Sequence, residues 1–139
     1  MSDYNRAIIE EFRANGGRVG GRYQGRPMLL LTTTGARSGE RHTKPLVYLP
    51  DEGRLIVFAS ASGAPRSPGW YHNLRANPVA TVEVGTEMYL VDATEVTGVE
   101  RDRLFARQAE VWPGLADYQQ RTSRPFPVIA LTRRAAPPP

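Results

Sequence analysis

The residues best able to do chemistry lie in four short stretches. The first is Thr34-Gly35-Ala36-Arg37-Ser38-Gly39-Glu40-Arg41. Its glycines let backbone N–H groups turn toward a ligand, and Arg37 and Ser38 add a charge and a hydroxyl, a combination suited to a phosphate or carboxylate. It is not a P-loop, because no Gly-Lys-Ser/Thr follows at the required spacing. An ordinary hairpin turn with a solvated arginine fits the same residues. The second stretch, Arg41-His42-Thr43-Lys44-Pro45-Leu46, sets basic residues at the head of a strand. An unpaired ammonium is costly to bury, so Lys44 lies at a barrel mouth, meets an anion, or guards an exposed edge.

The third stretch joins Ala59-Ser60-Ala61-Ser62-Gly63 to Trp70-Tyr71-His72-Asn73. Small residues at a strand end admit a flat ring, a Trp-Tyr pair walls it off, and Asn73 offers hydrogen bonds to ring heteroatoms. Trp70 as a core plug and His72 as a half-exposed helix residue are the plainer alternatives. The fourth, Trp112-Pro113-Gly114-Leu115-Ala116-Asp117-Tyr118, is a proline-broken aromatic helix. It describes a lid whose Tyr118 donates a hydrogen bond or proton, or else an aromatic stripe facing the core.

Composition narrows the chemistry. The chain has 139 residues and no cysteine, so disulfides, thiolate metal sites and cysteine nucleophiles are out. With two histidines, His42 and His72, and no carboxylate-rich ligand motif, no metal site is expected. There is no apolar run of the roughly 18 residues a membrane span needs, nor a basic-then-apolar leader, and the expected location is the cytosol. A net charge of +4, from 18 basic and 14 acidic residues, suits an anionic ligand, an acidic membrane or a nucleic acid without choosing among them.

These stretches need elements to hold them. Residues 3–14 read as a helix capped by Ser2 or Asp3, with Tyr4, Ile8, Ile9 and Phe12 on one side. Residues 16–25 contain five glycines and read as a mobile connector. Strands are expected at Met28–Thr34, Thr43–Leu49 and Arg54–Ser60, forming a three-stranded antiparallel meander. A short helix from Trp70 to Ala76, a hairpin of Val79–Val84 with Glu87–Val96, and a helix from Val99 to Trp112 follow. That helix turns Leu104, Phe105, Ala109 and Trp112 inward. A last strand covers Val128–Thr132, and the Pro-rich end, Ala135–Pro139, is expected to fray. The sum is an α+β domain over residues 26–134, with about six strands in a small, partly open antiparallel barrel and peripheral helices. Residues 1–25 precede it as helix and connector, and 135–139 follow as a tail.

The order of these motifs resembles the deazaflavin-dependent nitroreductase family. The match runs from Leu31-Thr32-Thr33-Thr34-Gly35-Ala36-Arg37-Ser38-Gly39 through Pro45-Leu46 to Ala59-Ser60, Gly63, Pro68, Trp70-Tyr71, Asn73-Leu74 and Asn77-Pro78. Trp112-Pro113, Tyr118-Gln119, Arg124 and Pro127-Val128 extend it to about residues 26–133. The resemblance implies a split β-barrel and coenzyme F420, an 8-hydroxy-5-deazaflavin with a phosphate and an oligoglutamate tail. It implies hydride transfer from the reduced coenzyme to a quinone, nitroaromatic or activated enone. The coenzyme-binding positions it implies are Ala36, Arg37 and Ser38, the run His42, Thr43, Lys44, Pro45, Leu46 and Val47, then Phe58, Ala59, Ser60 and Ala61, and finally Gly69, Trp70, Tyr71, His72 and Asn73. Arg37, Arg41 and Lys44 are the expected counter-charge for the tail. Ser60 and Tyr118 are the expected catalytic groups, each stabilising the charge that develops on the acceptor. An FMN enzyme on the same barrel, or a non-catalytic coenzyme-binding module, are the alternatives; nucleic-acid binding lacks a stacking platform. The sequence also departs from the family. His42 stands where arginine is frequent, Ala61 and Ser62 stand where lysine and glycine are common, and Leu115 replaces the tyrosine of nitroimidazole-reducing members. The resemblance further implies peripheral membrane contact through the short N-terminal helix, at the inner face of the plasma membrane.

Overall fold

A computed structural model describes residues 3–135; the Ser2 cap and most of the Pro-rich end fall outside them. Its elements run α1 (Asp3–Ala14), a 3-10 turn (Gly21–Tyr23), β1 (Met28–Thr34), β2 (Arg41–Val47), β3 (Leu49–Asp51), β4 (Arg54–Phe58) and a 3-10 turn (Ala61–Gly63). Then come α2 (Gly69–Ala76), β5 (Val79–Val84), β6 (Glu87–Val96), α3 (Gly98–Val111), α4 (Gly114–Gln120) and β7 (Val128–Arg133). All seven strands join one antiparallel sheet in the order β2-β1-β5-β6-β7-β4-β3. The sheet's two edge strands, β2 and β3, are consecutive in the chain and separated only by Tyr48. Residues 41–51 thus act as one bent strand spanning both edges, which curls the sheet into a split barrel. Pro45 and Pro50 both lie on these edge strands, where a missing N–H is tolerated.

The expected meander is therefore corrected. β1 pairs with β2 and β3 with β4, but β2 and β4 share no ladder, and β4 pairs instead with β7. The reason is the bend at Tyr48, whose amide donates to Pro27 O at 3.0 Å and carries the chain across to the other edge.

Period-two alternation accounts for the layers. Leu29 and Leu31 of β1, Val57 of β4, Val82 of β5, Val91 of β6 and Leu131 of β7 point into the barrel, where Trp70, Tyr71 and Leu74 of α2 plug one end. The intervening residues Met28 and Leu30 face Ile8, Ile9 and Phe12 of α1. β1 is thus buried on both faces, which explains its unbroken apolar run. Ile56, Val128 and Ala130 face outward under Leu104 of α3. With its apolar side spent on β1, α1 leaves only Tyr4, 56% exposed, as a large apolar group at the surface, and Tyr4 does not join the stripe expected of it.

The glycine-rich connector is built into the fold rather than merely tethering it. Val19 is buried in the α1 cluster, and the Gly20 amide donates to Glu11 Oε2 at 2.7 Å. Gly17, at φ +95, crosses Gly85 so closely that a Cβ would sit 2.8 Å from the Gly85 Cα.

Candidate active site

Two adjoining hollows meet at Pro68–Gly69–Trp70. The first, about 170 Å3, is lined by Pro45, Leu46 and Val47 of β2, Phe58 at the end of β4, Ser60 and Ala61, Pro68 and Trp70 on one side. Tyr23, Gln108, Trp112 and Leu115 form its other side. It occupies the gap between β2 and β4, where no strand pairing fills the space. The second, about 600 Å3, lies over the 35–39 turn and the start of α2. Arg37, Ser38, His42, Arg66 and His72 supply its polar groups.

The turn is held by its own bonds. The Gly35 amide donates to Glu40 O at 2.7 Å, and the Gly39 amide to Gly35 O at 3.0 Å. Asn73 fastens the turn to α2: its Oδ1 accepts from the Ala36 amide at 3.0 Å, and its Nδ2 donates to Thr33 Oγ1 at 3.0 Å. Both ends of the Asn73 amide are so engaged, and it acts as a pin for the anion-facing turn. A Cβ at Gly35 would lie 2.5 Å from Ser38 Oγ, so any larger residue there would force the Ser38 hydroxyl out of its place in the turn.

Alternation along β2 sorts the basic stretch. Arg41 Nη2 donates to Thr81 Oγ1 at 3.2 Å, and Thr43 Oγ1 pairs with Thr32 Oγ1 at 2.8 Å, so both lie on the outer face of the sheet. His42, Lys44 and Leu46 share the opposite face. His42 lines the cationic cleft and Leu46 the narrow cavity, which puts Lys44 between them. The expected Arg37/Arg41/Lys44 cluster is thus split. Arg41 leaves it, and Arg66, from the loop before α2, takes its place. Only the general rule that basic residues in a Gly/Pro loop face ligands would have flagged Arg66.

Of the other expected residues, Tyr71 and Ala59 face elsewhere. Tyr71 is buried, and its hydroxyl donates to Glu95 Oε1 at 2.7 Å on the far side of α2; burial and that carboxylate raise its pKa. Ala59 is fully buried in the barrel core. Tyr118 stands beside Trp112, ring centroids 6.5 Å apart, outside the cavity lining, where Arg22 Nη2 donates to its hydroxyl at 3.3 Å. Leu115, on the same short helix, does line the cavity.

Two residues given no site role from the sequence, Arg124 (part of the family motif only) and Gln108, shape the site. The Arg124 guanidinium donates to Ala59 O at 3.0 Å, Ser60 O at 2.9 Å, Ala64 O at 3.0 Å and Ser67 Oγ at 3.1 Å. It stacks on the Phe126 ring at 4.9 Å and has no acidic partner among the described residues; burial lowers its pKa. Arg124 thus fixes the loop that carries Ser60. Gln108 is buried at the cavity wall. On the lid side, Arg26 Nη1 donates to Val111 O at 2.6 Å and its guanidinium lies 5.4 Å from the Trp112 ring. Arg22 lies 5.2 Å from the Tyr23 ring. Arg26 thus ties the end of α3 at Val111 and Trp112 to the segment before β1, and Arg22 ties Tyr118 of α4 to the connector. Tyr23 has a raised pKa, from burial first and its hydrogen bond with Tyr4 second.

The arrangement offers a narrow slot beside a cationic cleft. Among the described residues no group of acids or histidines is placed to hold a metal ion, and no helix is long and apolar enough to cross a membrane. Comparison with known proteins agrees with the chemistry of that pairing. The family model described as F420H(2)-dependent quinone reductase matches residues 4–133. An F420H(2)-dependent quinone reductase of Mycobacterium tuberculosis (strain ATCC 25618 / H37Rv) is 42% identical over 132 residues, covering 88% of this chain and 85% of the relative. A solved F420-H2 dependent reductase, FDR-A, superposes with TM-score 0.69 at 37% identity, over 76% of this chain and 94% of its own. Another solved chain, described as a domain-swapped dimer, gives TM-score 0.71 at 35% identity over 91% and 95%. The expected split barrel and deazaflavin oxidoreductase class both hold, and within the expected range of acceptors the family is the quinone-reducing one. Matched across nearly its whole described length, the chain belongs to the F420H(2)-dependent quinone reductase family.

Proposed function

We propose that this chain reduces a quinone with its ring-binding and tail-binding tasks divided between the two hollows. The carrying observation is their adjacency: a slot between β2 and β4, bordered by Pro68 and Trp70, lies beside a cleft bordered by Ser67 and Gly69 that holds Arg37, Arg66 and His42. A flat ring with an anionic tail needs that pairing, and the residues present fit coenzyme F420. When bound and reduced, the deazaflavin supplies the hydride.

The chain's own residues do the rest. Arg37, Arg66 and Ser38 hold the negative tail, helped by the free amides at the start of α2, whose cap Pro68 provides no side-chain acceptor. Lys44, between the hollows and with no partner in the protein among the described residues, meets the charge nearest the ring. Pro45, Leu46, Val47 and Trp70 pack the ring and exclude water, and Ala61 lets it approach the backbone. Ser60, whose position Arg124 fixes, presents its hydroxyl to the oxygen that gains charge. Tyr118 acts one layer back, supporting Trp112. The slot is smaller than most ligand pockets, roughly 300–1,000 Å3, so the α3–α4 side must give when ring and acceptor are both present.

Fluorescence titration with oxidised coenzyme F420, and separately with FMN, tests the reading. Tight binding of the deazaflavin, weakened at least tenfold in Arg37→Ala and Arg66→Ala and falling with salt, is expected. FMN bound alone would transfer the site to flavin chemistry, and binding of neither would refute the assignment.

A further inference from the structure

Gln108 stands where the pattern of its helix calls for an apolar residue. It follows Leu104 by one turn on the buried stripe of α3, and the two are the buried residues of that helix. It is 2% exposed and borders the narrow cavity. Its backbone carbonyl caps the helix by accepting from the Trp112 amide at 2.8 Å, but among the described residues nothing hydrogen-bonds its side-chain amide. No sealed side-chain polar atom there lacks a partner, so the amide keeps its slight access, and what it borders is the cavity. An amide held so far from bulk water without a partner is costly unless something in the pocket completes it.

The helix holds this amide in place. Arg107, the preceding residue, and Arg103 both reach the buried Asp51 carboxylate, at 2.5 and 3.5 Å. The placement also selects the ligand it meets. The residues assigned to the coenzyme come from β2, β4, the 59–61 segment and α2. Gln108, Trp112, Leu115 and Tyr23 make the facing wall. A ring lying on the first wall leaves the second to the other substrate.

We propose that Gln108 is an acceptor-recognition residue, its amide N–H donating to a carbonyl oxygen of the quinone. The inference rests on the functional reading above. In the reaction the reduced coenzyme loses a hydride and a proton, and the quinone gains both to become the hydroquinone. Negative charge grows on the quinone oxygens before the proton arrives, so a fixed N–H donor is stronger in the transition state than in the ground state. Gln108 transfers no proton itself.

The chain's two tryptophans, Trp70 and Trp112, both line the cavity, and with no cysteine there is no thiol for a quinone to alkylate. Menadione binding can therefore be followed by tryptophan quenching in coenzyme-free and F420-loaded protein, with 2-methylnaphthalene as the probe that lacks oxygen. In Gln108→Leu the Kd for menadione should rise about tenfold while that for 2-methylnaphthalene and that for F420 stay within twofold. The kcat/KM for menadione should fall by a larger factor than the binding, and thermal stability should be equal or higher, because the stripe becomes apolar. Gln108→Glu, which loses the N–H, should share the menadione defect. Equal menadione binding in Gln108→Leu and the parent, absence of quenching in both states of the parent, or loss of F420 affinity with menadione affinity intact would each overturn the proposal. The failure of the parent to bind F420 would refute the functional reading instead, and the coenzyme-free titration would still report on Gln108.

Discussion

Arg124 offers the sharpest test of how the site is held together. Its guanidinium bridges four acceptors in the segment 59–67: three carbonyls and one hydroxyl, all between 2.9 and 3.1 Å at their shortest. None is charged, so the arginine contributes geometry rather than ion pairing. Hydrogen bonds to a charged donor contribute about 1.5–3 kcal/mol each, but four on one side chain are not additive, and water can reach part of this loop once the side chain is cut back. A loss of roughly 3 kcal/mol is therefore expected for Arg124→Ala, at the upper end of single-site effects. For a domain of this size that is a fall in Tm of about 10 °C. Ser60 and Ala61 belong to the same segment, so coenzyme affinity should fall more than tenfold at temperatures where the fold persists. Arg124→Lys separates the two explanations: it keeps the charge and cannot span four acceptors. Urea denaturation paired with F420 fluorescence titration reads both quantities. If Arg124→Lys restores full stability and affinity, the arginine acts as a cation near the ligand and the pinning argument is wrong.

Three further outcomes follow from the packing. Asp51 has a side chain 4% exposed, bonded to Arg54 at 2.6 Å, and its pKa is lowered chiefly by that bond. A depressed carboxylate stabilises the fold above its unfolded value near 3.9 and loses that contribution as pH falls through the folded value, so acid denaturation should steepen below about pH 4. Asp51→Asn should remove that limb and cost about 2–3 kcal/mol at pH 7, measured by chemical denaturation, because three arginines lose their common partner. Gly17→Ala, at φ +95 and against Gly85, should cost at least about 1–2 kcal/mol by the same measurement, since neither backbone can yield cheaply. Gly63→Ala, where a Cβ would lie 2.9 Å from Tyr118 O, should push α4 away from the 61–63 turn and raise the KM for the acceptor.

Local signals in the sequence were strong where the chain is locally determined. The turn at Gly35–Gly39, the 79–96 hairpin and the buried run of β1 rest on glycine positions and period-two patterns that need no tertiary partner to be read. What escaped was decided by contacts distant in sequence. Gln108 reads as a polar break in an amphipathic helix until the cavity beside it is known. Arg124 enters the sequence only as a residue of the family motif, and its role shows once its carbonyl partners, some 60 residues earlier, are brought against it. Arg41 and Thr43 lie in a stretch whose basic character suggests one cluster, yet strand alternation sends them to the opposite face from His42 and Lys44. That division was available from period two alone once the strand began at Arg41 rather than Thr43, so a two-residue error in the start cost the assignment.

The mistaken meander has the deeper consequence. Adjacent hairpins suggest that β1, β2 and β4 lie side by side. In that arrangement β2 would hydrogen-bond to β4, and their side chains would close on each other. The bend at Tyr48 instead spends the same segment on both edges of the sheet, leaving β2 and β4 facing across an unpaired gap. The candidate cavity is that gap, floored by Pro45–Val47 and by Phe58, Ser60 and Ala61. α3 and α4 close it from outside, tied down by Arg26 at Val111 and by Arg22 at Tyr118. A barrel that completed its ladder here would be better paired and would have no slot for a flat ring. The site therefore lies where the sheet leaves its own edges unsatisfied by backbone, and the side chains that compensate, Arg124, Asn73 and the Asp51 cluster, are the ones that position it.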